Sequence, residues 1–168
     1  MASSLQNVKF IIQIAVVKLL QESFPVLAAK VFSKMWFKVT KFKPNSDLES
    51  WKGKCQQKQF GHRNTKLEAY IRINDRPRGQ ILFIHGWSGR WDQFLEMATR
   101  LYEVGYNIIS FDLPAHGENP GDNSDVYEFA ESIHNLNKTI SLGNTMVICH
   151  SAGFLAWSLF CKTSKLKL

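Results

Sequence analysis

The sequence has few cysteines and lacks the motifs that mark the common cofactor sites. It contains neither of the two glycine-rich nucleotide-binding patterns, G-x-x-x-x-G-K-[S/T] and G-x-G-x-x-G, and no cluster of side chains at metal-ligand spacing. The odd count of three cysteines, Cys55, Cys149 and Cys161, leaves no complete disulfide framework and fits no zinc-binding pattern. We therefore predict that the protein uses no metal and no organic cofactor, and that it works in a reducing compartment, the cytoplasm.

A long uninterrupted apolar run is also missing. The most apolar segment, residues 5–20, is interrupted by Lys9, Gln13 and Lys18, so it falls short of the roughly 20 apolar residues that a membrane-spanning helix needs. On a helical wheel its apolar residues form one stripe, which consists of Leu5, Val8, Ile12, Ala15, Val16 and Leu19. The pattern predicts an amphipathic helix that ends near Pro25. It favours this helix over a cleaved signal peptide because no basic region precedes the segment.

Acidic residues are scarce in the first third of the chain. Residues 1–58 contain ten lysines and three acidic side chains, whereas residues 59–168 contain eleven basic and eleven acidic ones, so the whole formal net charge of +7 lies in the first segment. We predict a basic helical leader over residues 1–58 and a separate domain over residues 59–168. No helix-turn-helix, zinc-finger or RNP-like pattern accompanies the lysines, so a nucleic acid is not expected as a partner.

Four of these lysines recur at helical spacing, namely Lys30, Lys34, Lys38 and Lys41. A basic amphipathic helix of this kind can lie on an anionic membrane surface. The same spacing is typical of the solvated face of an ordinary surface helix, which is the preferred interpretation. Peripheral membrane contact through the four lysines stays open as an alternative, and no pattern indicates an oligomeric state.

From residue 66 onward, strand-like and helix-like segments alternate. Short apolar or β-favouring runs of strand length occupy residues 66–73, 80–85, 106–111 and 145–149. Apolar residues at helical spacing occupy residues 91–104, 125–140 and 154–160. This alternation with short connections predicts an α/β fold, in which a mostly parallel sheet has flanking helices and follows the basic helical leader.

The best-placed reactive side chain is Ser151, where the last predicted strand runs into the last predicted helix. A tight strand-to-helix turn holds such a side chain clear of the backbone, and the small neighbours Cys149 and Gly153 allow the turn to close. The N–H groups and the positive dipole end of the following helix face whatever the serine attacks. Ser151 is therefore predicted to be a nucleophile.

Three loops, each after one of three successive strands, resemble the signature loops of the α/β-hydrolase superfamily. His85-Gly86-Trp87-Ser88-Gly89 resembles the family's H-G-x-x-G loop, and residues 111–117, FDLPAHG, resemble its D-x-x-G-H-G-type loop. Residues 149–153, CHSAG, resemble the G-x-S-x-G nucleophile elbow. The resemblance covers about residues 66–160 and implies the fold of that family, here incomplete because the chain stops after the elbow and its helix.

The resemblance also implies a mechanism, that of the branch with a serine nucleophile. Members of this branch hydrolyse ester, thioester, amide or C–C bonds through an acyl-serine intermediate. The implied nucleophile is Ser151, and the implied oxyanion hole consists of the backbone N–H groups of Trp87 and Ala152. Supporting roles in the loops fall to His85, Gly86, Gly89 and Gly153. Trp87 and Trp91 suggest an apolar wall, although aromatic residues there more often serve packing, and the expected substrate is a small molecule with an apolar acyl group.

Polar residues near this site are better explained as structural than as a catalytic base or acid. His150, next to Ser151, is expected to turn into the structure beside the elbow. His85 and His116 are expected to be structural, with His85 shaping the oxyanion loop. Asp112 is expected to hydrogen-bond to loop backbone, because the triad acid of this family follows the serine in the chain.

Two features depart from the family pattern. Cys149 stands where glycine is usual, and the 17 residues after Ser151 contain no Asp, Glu or His, although the family's acid and histidine follow the serine. A serine without a base is a poor nucleophile. We therefore expect a truncated chain, the N-terminal half of a hydrolase domain, which is inactive as it stands. The alternative is a non-catalytic hydrolase-like module that binds a partner or an anionic membrane surface.

Overall fold

The structure, a computed structural model, describes residues 2–164 and consists of two compact units that divide after Lys38. The first unit contains the helices α1 (Ala2–Ser23) and α2 (Pro25–Trp36). Pro25 lies in the first turn of α2, where its missing N–H removes no helical hydrogen bond. The first helix ends near Pro25, as predicted, and the second helix begins at this residue. None of the helices within residues 2–164 is long and apolar enough to cross a membrane.

The second helix is shorter than the lysine spacing predicts, because it ends at Trp36. Val39 already belongs to the second unit, where it is buried and its N–H donates to the carbonyl oxygen of Asp122 at 2.8 Å. Lys38 and Lys41 therefore lie beyond the helix. The predicted four-lysine helical face is wrong in this respect, since only two of the four lysines belong to α2.

The second unit is built on a single five-stranded sheet with the strand order β1-β2-β4-β3-β5. The strands are β1 (Gln56–His62), β2 (Thr65–Arg72), β3 (Gly79–Ile84), β4 (Tyr106–Phe111) and β5 (Thr145–Cys149). β3 runs parallel to both β4 and β5, whereas β1 pairs with β2 and β2 pairs with β4 in the antiparallel sense. The sheet is mixed, and the predicted α/β class is confirmed.

Helices cover both faces of this sheet. They are α3 (Leu48–Lys52), a 3₁₀ turn (Trp91–Phe94) that leads into α4 (Leu95–Glu103), α5 (Val126–Thr139) and α6 (Ala152–Ser164). Ile81 and Phe83 of β3 pack in one core cluster with residues of α3 and α4, while Leu82 and Ile84 pack in the other with residues of α5 and α6. Because β3 is buried on both faces, its sequence is an almost continuous apolar run.

The structure contains two elements that the sequence analysis misses, β1 and α3. β1 is an edge strand with five of its seven residues exposed, so it has no apolar period to detect. α3 is only five residues long, although Leu48 and Trp51 are buried. Lys58, the last residue of the predicted leader, lies inside β1 and pairs with Ala69 of β2. The lysine-rich segment therefore continues into the sheet, because an exposed edge strand accommodates lysine easily.

Candidate active site

Three loops meet at the edge of the sheet where the parallel strands β3, β4 and β5 end. The N–H of His150, after β5, donates to the carbonyl oxygen of Ile84, the last residue of β3, at 2.9 Å. The N–H of Leu113, after β4, donates to Nε2 of His85, after β3, also at 2.9 Å. Direct hydrogen bonds thus hold together the loops that the sequence marks as chemically important.

Ser151 occupies the sharp turn between β5 and α6. Its φ is +50°, in the left-handed region that few non-glycine residues adopt, and the residue is exposed. Two hydrogen bonds of 2.9 Å close the turn, one from the N–H of Gly153 to the carbonyl of His150 and one from the N–H of Phe154 to the carbonyl of Ser151. The geometry matches what a nucleophile elbow requires, because it presents the serine at the start of a helix.

Two glycines let the elbow and the loop after β3 approach each other closely. A Cβ on Gly153 would lie 2.5 Å from the carbonyl oxygen of His85 and 2.6 Å from that of Ile84, so a larger residue requires a backbone shift. A Cβ on Gly86 would lie 3.0 Å from Cβ of Ser151. The absence of side chains at these two positions sets the spacing between the serine and the loop after β3.

Cys149 stands at the position where glycine is usual in the elbow. Ser151 has a positive φ, whereas Cys149 does not. The conformational freedom of glycine is therefore not needed at position 149. Burial raises the pKa of the Cys149 thiol to about 11, which keeps it protonated at neutral pH. Cys149 is therefore a small packing residue in this structure.

His85 is fully buried and uses both ring nitrogens to connect the loops. Because the N–H of Leu113 donates to Nε2, that nitrogen is unprotonated, and the ring proton is assigned to Nδ1, which donates to the carbonyl oxygen of Gly86 at 2.8 Å. Burial lowers the pKa of His85 to about 3, so the ring is neutral at neutral pH. His85 therefore ties the loop after β3 to the loop after β4.

The peptide group between Gly86 and Trp87 is anchored on its carbonyl side. The carbonyl oxygen of Gly86 accepts one hydrogen bond from Nδ1 of His85 at 2.8 Å and another from the N–H of Gly89 at 3.0 Å. Because a trans peptide is planar, the N–H of Trp87 points away from this carbonyl. Ala152 is the first residue of α6, and its N–H is among the four at a helix N-terminus that have no partner within the helix.

His116 repeats the arrangement of His85 in the loop after β4. The N–H of Ser88 donates to its Nε2 at 2.9 Å, and its Nδ1 donates to the carbonyl oxygen of Pro114 at 2.8 Å. Burial lowers the pKa of His116, and its ring centroid lies 5.1 Å from that of His85. Each of the two rings has both nitrogens engaged within the loops, so neither is free to accept a proton from Ser151.

Asp112 is also committed to loop backbone. Its Oδ1 accepts a hydrogen bond from the N–H of Trp91 at 2.8 Å. Its Oδ2 packs against Gly117, where an added Cβ would collide with this oxygen. Burial raises the pKa of Asp112 to about 6, while the hydrogen bond from Trp91 and the charge of Arg90 oppose this shift. The carboxyl group therefore fixes the start of the 3₁₀ turn to the end of β4.

His150 is exposed, so the expectation that it turns into the structure is wrong. It lines an open cavity of about 480 Å³ together with Phe42, Trp87 and Ser88. A Cβ on Gly86 would lie 3.0 Å from Nδ1 of His150, so the imidazole ring rests against this glycine at the surface. In the described residues 2–164, no group of three His, Cys, Asp or Glu side chains is placed to hold a metal ion at this cavity or elsewhere.

The two tryptophans expected to form an apolar wall lie in different environments. Trp87 is half-buried beside the cavity, with its ring centroid 5.8 Å from that of His116 and 5.5 Å from that of Phe129. Trp91 is only 1% exposed, and its ring packs 5.6 Å from that of Tyr70 in the core. The expectation for Trp91 is wrong, because this first residue of the 3₁₀ turn has its side chain buried in the core.

The segment before α3 also borders the site, which the sequence analysis does not predict. The N–H of Thr40 donates to Oγ of Ser88 at 3.0 Å, and the N–H of Asn45 donates to Oδ2 of Asp92 at 2.8 Å. Phe42, between them, lines the cavity. The lysine spacing assigns the first part of this segment to a helix of the predicted leader, and no sequence signal indicates its position beside the site.

Comparisons with known proteins agree with this architecture. Residues 79–165 match the sequence pattern of the α/β hydrolase fold. A curated relative, a non-heme chloroperoxidase of Kitasatospora aureofaciens, is 28% identical over 75 residues, which are 44% of this chain and 27% of the relative. The chain therefore spans about a quarter of the length of that relative.

Two solved structures share the fold. An esterase of Pyrococcus furiosus superimposes with a TM-score of 0.60 and 18% identity, covering 77% of this chain and 54% of the esterase. A bacterial membrane phospholipase A superimposes with a TM-score of 0.57 and 19% identity, covering 99% of this chain and 49% of the phospholipase. The chain thus corresponds to about half of each of these two proteins.

Proposed function

The chain belongs to the α/β-hydrolase fold family, and we propose that Ser151 is the nucleophile of a serine-hydrolase site. The observation that carries the proposal is the backbone of Ser151. A non-glycine residue at φ +50° is strained, and here the strained residue is exposed, begins the turn into α6 and lies against Gly86. Strain of this kind, held in place by close packing, is typical of functional sites.

The proposed reaction is acyl transfer. Oγ of Ser151 forms a bond to the carbonyl carbon of the substrate, its proton passes to a base, and the carbonyl oxygen becomes an oxyanion. The oxyanion then re-forms the carbonyl as the bond to the leaving group breaks, and the alcohol, thiol or amine leaves with the proton. We assign the N–H groups of Trp87 and Ala152 as the two donors to this oxygen. The anchored Gly86–Trp87 peptide and the position of Ala152 at the start of α6 support the assignment. One such donor typically contributes about 10²–10³ in rate.

We propose a small-molecule ester, thioester or amide with an apolar acyl group as the substrate. The support is the cavity of about 480 Å³ beside the elbow, where Phe42 and Trp87 provide apolar surface and His150 lies at the wall. Phe42 is 61% exposed although it is large and apolar. The lining also includes polar and charged side chains, among them Lys43 and Arg90, and a concave site that combines apolar surface with polar groups can bind a small molecule.

A stoichiometric label tests the nucleophile without requiring turnover. A fluorophosphonate forms a phosphorus–oxygen bond with an activated serine and expels fluoride. Without a base the reaction is slow, but oxyanion-hole donors still accelerate it, so we expect mass spectrometry to find Ser151 labelled faster than Ser158 and position 151 unlabelled in Ser151→Ala. Ser158 is an exposed serine on α6, so Ser158→Ala is the matched control and should label like the wild type. Equal labelling of Ser151 and Ser158 would refute the assignment.

These 168 residues are proposed to turn over esters negligibly. A serine needs a base to become a good nucleophile, and the rings of His85 and His116 have both nitrogens engaged. We expect p-nitrophenyl acetate hydrolysis to proceed at the same background rate in the wild type and in Ser151→Ala. Turnover that Ser151→Ala abolishes would contradict this expectation, and His150→Gln would then test His150 as the base.

The second candidate is a non-catalytic hydrolase-like module that binds a partner or an anionic membrane surface through Lys30, Lys34, Lys38 and Lys41. The observation that favours it is the exposure of all four lysines. Labelling of Ser151 separates the two candidates, because a module without catalytic function has no reason to activate this serine above Ser158.

A further inference from the structure

We propose that the helix pair α1–α2 is a membrane-interface anchor that inserts exposed apolar side chains into an anionic lipid bilayer. The proposal goes beyond the hydrolase chemistry and does not depend on it. It also differs from a purely electrostatic contact through lysines, because the apolar side chains of both helices supply most of the binding.

Large apolar side chains are exposed along both helices. They are Val8, Phe10, Ile11, Ile12, Ile14, Val16, Leu19, Val26, Leu27, Phe32, Met35 and Trp36. Among the side chains that the structure describes in α1 and α2, only Ala28 is buried. An ordinary surface helix buries its apolar stripe. The interpretation of this segment as an ordinary surface helix is therefore wrong. An exposed apolar surface of this extent indicates an interaction site.

A groove between the two helices is part of this surface. Its volume is about 640 Å³, and its apolar lining includes Phe10, Ile14, Phe32 and Trp36. The rings of Phe32 and Trp36 stack with centroids 5.6 Å apart. Tryptophan and other aromatic residues are favoured at the boundary between headgroups and acyl chains, so this end of α2 is suited to that depth of a bilayer.

The charge of the segment selects the lipid. Residues 1–38 contain five lysines and a single acidic residue, Glu22, which gives a formal charge of +4 from five minus one. Lys30 and Lys34 are exposed on α2, and Lys18 lines the groove. Exposed lysines beside an apolar surface favour anionic headgroups over zwitterionic ones.

The arrangement of apolar residues on α1 favours lipid over a second protein surface. Phe10, Ile11 and Ile12 are consecutive and all exposed, and successive residues of a helix point about 100° apart. The exposed apolar surface therefore spans about 200° of the helix circumference, which is wider than the stripe of roughly 100° that packs against one partner helix. α1 has 22 residues but is not apolar enough to span a membrane, so the helix pair is assigned to the interface.

Vesicle flotation of the full chain tests the anchor. We expect the chain to float with phosphatidylcholine vesicles that contain about 30% phosphatidylserine and to bind pure phosphatidylcholine at least tenfold more weakly. Trp36→Ser should lower the partition coefficient about tenfold or more, the effect of one large apolar side chain. Tyr127→Ser is the matched control, because Tyr127 is an equally exposed aromatic residue on α5, at 70% against 67% for Trp36.

The lysines and the fluorescence of Trp36 provide a second measurement. Lys30→Gln and Lys34→Gln should each lower binding about fivefold, which corresponds to roughly 1 kcal/mol per basic residue near an anionic surface. The exposed Lys54 and Lys58 of the second unit serve as controls, and their Gln variants should bind like the wild type. Anionic vesicles should shift the tryptophan emission to the blue, and Trp36→Phe should remove most of this shift.

Three results would overturn the proposal. The first is an absence of flotation with anionic vesicles, and the second is equal loss of binding in Trp36→Ser and Tyr127→Ser. The third is a stable dimer in light scattering that Trp36→Ser dissociates, together with no flotation, which would assign the surface to a second copy. Labelling of Ser151 in the same samples reports the hydrolase site separately, so failure of one proposal leaves the other measurable.

Discussion

His85 uses each ring nitrogen for a different loop, so two substitutions remove its hydrogen bonds one at a time. In His85→Asn, the amide nitrogen takes the place of Nδ1 and keeps the bond to the Gly86 carbonyl, but no acceptor remains for the N–H of Leu113. In His85→Gln, the amide oxygen takes the place of Nε2 and keeps the bond from Leu113, but the Gly86 carbonyl loses one donor. Each variant therefore isolates one connection.

The expected loss of stability follows from burial. Position 85 is fully buried, so His85→Asn leaves the N–H of Leu113 without a partner away from water, whereas His85→Gln leaves the Gly86 carbonyl with the bond from Gly89 alone. A buried group without a partner costs about 1–3 kcal/mol. We expect the free energy of unfolding at pH 7.5 to be below that of the wild type by about 2 kcal/mol in His85→Asn and by about 1 kcal/mol in His85→Gln. His134 is exposed, so His134→Gln should stay within about 0.5 kcal/mol of the wild type.

The same burial predicts how this difference changes with pH. The pKa of His85 is lowered to about 3 in the folded protein, against an ordinary value of 6.5. Between these two values the unfolded chain binds a proton that the folded protein does not, so the histidine makes the protein less stable as the pH falls below 6.5. At pH 5, which is 1.5 units below the ordinary pKa, this effect lowers the free energy of unfolding of the wild type by about 2 kcal/mol. Asn and Gln do not titrate, so near pH 5 His85→Asn should equal the wild type in stability and His85→Gln should exceed it by about 1 kcal/mol.

Urea unfolding followed by tryptophan fluorescence at pH 7.5 and pH 5 measures these differences. Asp112 contributes with the opposite sign, because its raised pKa of about 6 makes the folded protein bind a proton more readily as the pH falls. Its contribution is present in the wild type and in both variants, so it cancels in the comparison. A deficit of about 2 kcal/mol in His85→Asn that persists at pH 5 would refute the neutral, doubly engaged His85.

Two further substitutions test the elbow backbone. Ser151→Gly should raise the free energy of unfolding by about 1 kcal/mol, since glycine adopts φ +50° without strain, whereas Ser151→Ala should leave it nearly unchanged. Cys149→Gly should lower it by about 0.5–1 kcal/mol, because position 149 ends a strand and does not have a positive φ. Urea midpoints measure both effects, and a Cys149→Gly protein more stable than the wild type would show that the elbow needs glycine there.

The parallel half of the sheet could be predicted because its strands are short and nearly continuous apolar runs. The predicted runs at residues 106–111 and 145–149 coincide with β4 and β5, and the run at 80–85 differs from β3 by one residue. In β3 and β4 this pattern reflects burial on both faces, whereas β5 is an apolar strand at the end of the sheet that has no fully buried residue. β1 could not be predicted, since backbone pairing with β2 rather than an apolar face holds this edge strand in place.

The position of Ser151 could be predicted, but the surroundings of the site could not. A strand followed directly by a helix is a local feature, so the elbow follows from neighbouring residues. The partners of His85 and His116 include Leu113 and Ser88, each 28 positions away from its histidine. The directions of His150 and Trp91 likewise depend on packing across the sheet edge. No local period carries this information.

Charge alone could not divide the chain correctly, because lysines of the first third lie in different structural settings. Lys34 is exposed on α2, whereas Lys52 is nearly buried, with its Nζ 3.1 Å from a carboxylate oxygen of Glu49 and 3.2 Å from one of Glu118. Lys58 lies on the edge strand of the sheet. The property that distinguishes the first unit is its uncovered apolar surface. It follows that replacing lysines should weaken membrane binding in steps, whereas replacing Trp36 should affect it more strongly than any single lysine.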